Sequence, residues 1–131
     1  MKTNLDQFFK LDDQASKDGK WVPISEGVEF LVKPFKKSNP QIKKALEIHY
    51  KPYARQIEMG SLSDEKAQEI EIKIFVNSCI VDWKGIEIDG VVQPYNSDLA
   101  ITLLESLPEL FDTLMRYAED SNNYKEVLGN S

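Results

Sequence analysis

The chain changes its hydrophobic period several times. Trp21-Val22-Pro23-Ile24 and Val28-Glu29-Phe30-Leu31-Val32 are short β-type runs separated by the turn residues Ser25-Glu26-Gly27, and together they predict a β-hairpin. Pro23 lacks a backbone donor, which suits an edge strand, and Pro34 ends the second run. A two-stranded hairpin is marginal alone in water, so it must pack on helices. From Asn39 onward the period lengthens. Asn39 as N-cap and Pro40 at the first helical position open a helix over 40–59. Its apolar face is Ile42, Leu46, Tyr50 (or His49), Tyr53 and Ile57. Pro52 removes the bond to the Ile48 carbonyl and predicts a kink, and Gly60 ends the helix.

Ser63, followed by Asp64 and Glu65, predicts the start of a second helix running to about Asp82. Ala67, Ile70, Ile74, Ser78 and Val81 form one face. Ile72, Phe75, Val76, Cys79, Ile80 and Trp83 form most of the opposite one. A helix apolar nearly all round is central and covered on two sides. Ile70-Glu71-Ile72-Lys73-Ile74 alternates as a strand would, but length and capping favour the helix. Lys84-Gly85 breaks the pattern, and Asp89-Gly90 between Ile86-Glu87-Ile88 and Val91-Val92 predicts a tight hairpin. Asn96 or Ser97 caps the next helix, carrying Leu99, Leu103 and Leu107. Pro108 ends it and begins another, with Leu110, Phe111, Leu114, Met115 and Ala118 in one stripe. Ser121 to Leu128 adds a last short turn of helix.

Residues 1–18 are polar apart from Leu5, Phe8, Phe9 and Leu11, enough for one amphipathic turn in a flexible N-terminal arm. The expected architecture is therefore mainly α. Four to five packed helices carry a small N-terminal β-hairpin and a short Asp-Gly hairpin, and residues 19–131 form a single helical domain.

Composition narrows the function more than the fold. A chain of 131 residues, 41% hydrophobic and 29% charged, makes one ordinary core. No run approaches the ~20 apolar residues that span a bilayer, so no membrane partner is expected. Met1-Lys2-Thr3-Asn4-Leu5-Asp6 lacks the apolar stretch of a secretory signal. Cys79, the single cysteine, can form neither an intrachain disulfide nor a Cys-rich metal site, which fits a reducing compartment.

The net charge of −6 is unevenly spread. Residues 1–60 hold 11 Lys/Arg against 8 Asp/Glu, a balance of +3; residues 61–131 hold 5 against 14, a balance of −9. Between Lys33 and Arg55, the cations Lys33, Lys36, Lys37, Lys43, Lys44, Lys51 and Arg55 face only Glu47. Solvated helix faces are the simpler account of this segment. A docking patch, or weak head-to-tail self-association between the two halves, is the sharper one. The acidic total argues against nucleic acid as a partner.

Catalytic chemistry has little to build on. His49, the only histidine, has no nucleophile near it in sequence, and Cys79 sits among apolar neighbours that do not activate a thiol. The glycines never cluster into a phosphate loop, Asp82 to Asp89 lacks calcium-loop spacing, and Glu119-Asp120 reads as an acidic helix end. No enzyme activity, cofactor or metal is expected. Of the large side chains, Trp83, Leu110 and Phe111 are expected in the core and Tyr117 and Tyr124 on the surface. The candidate partner-binding residues are Lys36, Lys37, Lys43, Lys44, Tyr117 and Tyr124.

The order of segments carries more than any single motif. Asn39-Pro40 opens the first helix, which contains Lys51-Pro52-Tyr53; Asp82-Trp83-Lys84-Gly85 comes after the acidic-opening helix; then come Pro94-Tyr95-Asn96 and Leu107-Pro108-Glu109-Leu110-Phe111-Asp112, closing with Ala118-Glu119-Asp120 and Tyr124. From Gly19 to Tyr124 this resembles the tail assembly chaperones of long, flexible-tailed bacteriophages and related prophages. The resemblance implies a mainly helical, non-enzymatic protein that binds the tape measure protein and keeps it soluble. It also implies help in recruiting tail tube protein, in the cytoplasm of the bacterial host, and absence from the mature virion. Such proteins commonly have a longer form made by ribosomal frameshift, and codons for Leu128-Gly129-Asn130 could spell a slippery heptamer. A non-chaperone structural tail protein or regulatory interaction protein of similar build is the alternative. The family offers no binding residue to carry over position by position.

Overall fold

The computed structural model describes residues 17–125. The arm expected at the N-terminus therefore lies, but for its last two residues, outside the described residues. So do Leu128-Gly129-Asn130.

The N-terminal hairpin forms as its sequence predicts. Strands β1 (Lys20–Ser25) and β2 (Val28–Val32) pair antiparallel, with Val22 opposite Phe30. Gly27 takes φ +77 in the turn, and the register shifts between Pro23 and Ser25 on the edge strand. Helix α1 (Pro40–Tyr50) begins where Asn39 Oδ1 accepts the Gln41 N–H at 2.8 Å. Pro52 interrupts the helical run as expected. A 3₁₀ turn (Lys51–Tyr53) separates α1 from α2 (Ala54–Glu58), and Gly60 ends it at φ +68. Helix α3 (Asp64–Cys79) is capped by Ser63, whose Oγ accepts the Lys66 N–H at 3.1 Å.

Two expectations fail just after α3. The helix stops at Cys79 instead of reaching Asp82, and Ile80–Lys84 forms a strand, β3. Strand β3 pairs antiparallel with β2, setting Phe30 opposite Trp83 and Leu31 opposite Asp82, so the sheet has three strands in the order β1-β2-β3. The fold is consequently mixed α/β, not mainly α with a small hairpin. The physical reason lies in β2. Ending at a hairpin, β2 would leave a second edge of unpaired amides, and Ile80-Val81-Asp82-Trp83 supplies a strand to fill it. Burial of both Ile80 and Trp83 fits a helix face, and β3 achieves it by a register shift: Val32 lies opposite Ile80 and Leu31 opposite Asp82, leaving Val81 as an extra residue. The change of structure also satisfies the helix end, since the Lys33 N–H donates to the Cys79 carbonyl at 2.7 Å.

Beyond β3 the elements agree with expectation again. Strands β4 (Glu87–Ile88) and β5 (Val91–Val92) flank Asp89 (φ +51) and Gly90 (φ +79), the left-handed pair that a tight Asp-Gly turn requires. Helix α4 (Ser97–Ser106) is capped by Asn96, and α5 (Pro108–Glu119) starts at Pro108. A 3₁₀ turn (Ser121–Tyr124) closes the described chain.

Helix α3 is central, packed by α1 and α4, with α5 also in contact. Ile70, Ile72, Ile74, Phe75, Val76 and Cys79 are all buried along it. The Phe75 ring meets Phe35 and Phe111 at centroid separations of 6.4 and 5.8 Å. Trp83 joins the three-stranded sheet to the segment between β5 and α4. Its indole N–H donates to the Gln93 carbonyl at 2.8 Å, and its ring stands edge-on to Phe30 and Tyr95.

Candidate partner-binding surface

The residues singled out as partner contacts separate into two groups. Lys37, Lys43 and Lys44 are exposed and Lys36 is half-buried, all on or just before α1. Tyr124, expected at the surface, is fully buried. Its hydroxyl donates to the Val32 carbonyl at 3.1 Å, tying the C-terminal turn to β2, and burial pushes its pKa up. Tyr117 is half-buried and stands edge-on to Tyr124 at 5.8 Å. Tyr124 is thus a core side chain, and Tyr117 keeps part of its surface in solvent. Trp83 and Phe111 are buried as expected, while Leu110 is only half-buried.

The lysines continue into a feature that the hydrophobic pattern misplaces. Ile57 belongs to the predicted apolar face of the first helix, yet it is 45% exposed. The 3₁₀ turn and α2 contain no buried residue, and Met59 just beyond is 71% exposed. Pro52 is the cause. By breaking the helix it rotates α2 out of register with the α1 face that packs on α3. Tyr53 keeps in touch with α3, where the Lys66 ammonium sits 5.3 Å from its ring centre. Ile48, which lies off the predicted stripe, is also exposed. The result is an arm, residues 40–60, that packs on α3 along one side of α1 and is exposed over 51–60, with a shallow depression bounded by Glu47, Tyr50, Lys51, Ala54, Ile57 and Glu58. Lys51 and Arg55 beside it are exposed and form no ion pair among the described residues.

Other concavities have a different character. A cleft of about 400 Å³ separates α1 from α5, floored by Ile74 and Phe111 and rimmed by Glu71, Asp112 and Glu119. Tyr50 reaches this cleft too, and burial, with the nearby Glu71 charge second, raises its pKa. A notch at the α4–α5 corner is lined by Ile24, Leu107, Pro108 and Leu110. At the opposite extreme, the β4–β5 tip leaves Ile88, Val91 and Val92 exposed.

Groups that could do bond-making chemistry are placed differently. The Cys79 thiol is buried, donates weakly to the Pro34 carbonyl at 3.8 Å, and is pushed up to about 12 by desolvation. It is a small core residue at neutral pH. His49 is half-buried on α1. Among the described residues, no group of three or more His, Cys, Asp or Glu side chains is arranged to hold a metal ion, and none of the helices is long and apolar enough to cross a membrane.

The geometry is that of a small mixed α/β scaffold presenting a basic, partly apolar helical arm. Over residues 37–128, the arm and most of the core included, the sequence matches the YdaY prophage protein family, and the chain belongs to that family. No curated protein and no solved structure matches it.

Proposed function

We propose that this protein is a tail assembly chaperone, which binds the tape measure protein, keeps it soluble and helps recruit tail tube subunits. It acts without catalysis, in the cytoplasm of the bacterial host, and leaves before the virion is complete. The observation that carries the reading is the exposed arm. Residues 51–60 bury none of their side chains, although Ile57 and Met59 are among them. A binding surface for an apolar helix needs such side chains held out from the core on a stable scaffold. Membership of a prophage family and the resemblance in segment order from Gly19 to Tyr124 support the same reading. A longer, frameshifted form would tether a second binding part and gain avidity; the gene sequence at Leu128-Gly129-Asn130 tests it.

Co-expression decides the main point. Tape measure protein should move from pellet to supernatant when this chain is present, and the two should elute together on size exclusion. An unchanged pellet with no complex overturns the reading.

A further inference from the structure

We infer that the α1–α2 arm is the docking face, and that it takes an amphipathic helix whose apolar stripe is flanked by acidic side chains. This inference rests on the chaperone reading for its biological partner, but its chemistry comes from the arm itself. Scattered exposed apolar residues are normal on any protein. Here three of them, Ile48, Ile57 and Met59, lie on residues 40–60, where the 3₁₀ turn and α2 bury no side chain; the β4–β5 tip exposes three as well, but beside Glu87 and Asp89 instead of cations. The depression between Tyr50, Ala54 and Ile57 is apolar and open, as a groove for helix side chains must be.

Charge selects the occupant. Residues 40–60 carry Lys43, Lys44, Lys51 and Arg55 against Glu47 and Glu58, a balance of +2, while Lys33 and Lys37 line other concavities. Lys43, Lys44, Lys51 and Arg55 form no ion pair among the described residues; Lys66, which sits over the Tyr53 ring, pairs with Glu69. An acidic-flanked helix laid on Ile57 and Met59 would bring carboxylates over these cations. A basic-flanked helix would meet like charge, which is costly across an interface. The α1–α5 cleft has the opposite preference, because Glu71, Asp112 and Glu119 line it against Lys37 alone. The two concavities therefore select different partners.

The test uses the full chain and two synthetic helical peptides with the same apolar stripe, one flanked by Glu and one by Lys. Binding is measured by fluorescence anisotropy, and the contact is mapped by amide shifts in NMR spectra. The Glu-flanked peptide should bind more tightly, perturb residues 47–59, and weaken as salt rises. The double substitution Ile57→Ser/Met59→Ser should weaken it roughly tenfold, as loss of a central apolar anchor does. Lys51→Glu/Arg55→Glu should reverse the preference between the two peptides. Both pairs are exposed, so folding is checked simply by unchanged thermal melting.

Preference of the native chain for the Lys-flanked peptide, with shifts at Phe111 and Met115, would overturn the inference in favour of the acidic cleft. Equal binding by the Ile57→Ser/Met59→Ser variant would overturn it as well. So would self-association of the free chain that this variant abolishes, since a second copy would then cover the arm. Failure of the native chain to solubilise tape measure protein is a separate result: it removes the chaperone reading and leaves the peptide measurement to judge the arm. If the native chain solubilises tape measure protein and both arm variants do so equally well, the chaperone reading stands and the arm is excluded.

Discussion

The segment around Trp83 and the segment around Ile57 both carry large apolar side chains and treat them in opposite ways. At Trp83 the ring and its N–H both find protein partners. The indole is buried between Phe30 and Tyr95, its N–H reaches Gln93, and the Tyr95 hydroxyl meets the Ile80 carbonyl at 3.4 Å. Around Ile57 the apolar groups stay in water, and the neighbouring Lys51 and Arg55 have no ion-pair partner among the described residues. The first region stabilises the fold by packing. The second contributes little to it. The difference separates side chains that hold the scaffold from side chains available to a partner, and stability measurements can test that division directly.

The largest effect is expected at the centre of α3. Phe75 is fully buried between Phe35 and Phe111. Phe75→Ala should cost about 3–5 kcal/mol, as large aromatic truncations in cores do, measured by urea unfolding. A loss inside ~0.5 kcal/mol, the usual range for surface changes, would erase the contrast from the packed side. Gly85, at the corner after β3, comes next. It sits at φ +79, and an added Cβ would run into the Gly27 carbonyl across the sheet. Gly85→Ala should therefore cost about 2–4 kcal/mol from backbone strain and overpacking together. Unchanged stability would show that β3 does not press on the β1–β2 turn.

Alkaline pH probes the same packed region through its thiol. The Cys79 pKa is raised from 9.0 to about 12 by desolvation. A raised folded pKa means that the unfolded chain releases its proton first. Stability is complete below pH 9 and falls as pH rises from 9 towards 12. The loss should reach about 1.4 kcal/mol by pH 10, one pKa unit above the unfolded value. Urea unfolding in reductant at pH 8 and pH 10 measures it, and Cys79→Ala should flatten this part of the profile. A profile that Cys79→Ala leaves unaltered would mean that the thiol is not the group responsible. Tyr50, Tyr95 and Tyr117 are also raised, chiefly by burial, and add to the decline only above their ordinary value of 10.0.

A smaller effect belongs to Tyr124, which ties the last turn to β2. Tyr124→Phe keeps the ring and removes one buried hydrogen bond to Val32, so it should cost about 1 kcal/mol. No change in urea midpoint would mean that the ring alone anchors the turn.

Much of this architecture is legible in the sequence because capping and turn residues act locally. Asn39, Ser63, Asn96 and Pro108 mark helix starts at the expected places, and Asp89-Gly90 makes the expected turn. Strand β3 is not legible, because its fate depends on an edge of β2 far earlier in the chain. Ile80 and Trp83, three apart, fit one helix face, and the strand buries both only through a register shift that leaves Val81 unpaired, which the long-range pairing alone decides. The surface is legible in part. The lysines before and along α1 are outside as charge predicts, but burial of Tyr124 depends on a contact with Val32, 92 residues away. Ile57 is misplaced for a more local reason. Pro52 predicts a kink, yet periodicity gives no angle for it and so cannot say that α2 leaves the core.

The smallest effect is expected on the arm, and there the smallness is the finding. Ile57 and Met59 lie on a stretch with no buried residue, so replacing both with serine removes little packing. Serine lowers helix propensity only slightly, and Met59 already lies beyond α2. Exposed apolar groups also gain little on folding, because they remain in water in both states. The Ile57→Ser/Met59→Ser variant should therefore unfold within ~0.5 kcal/mol of the native chain. A loss above ~2 kcal/mol, of the size seen for buried aliphatic truncations, would place these side chains in the core and end the contrast with Trp83. A neutral result fixes the other half of the comparison: the apolar groups of the arm are not held for stability, and any loss of partner binding in the same variant must come from the lost contact itself.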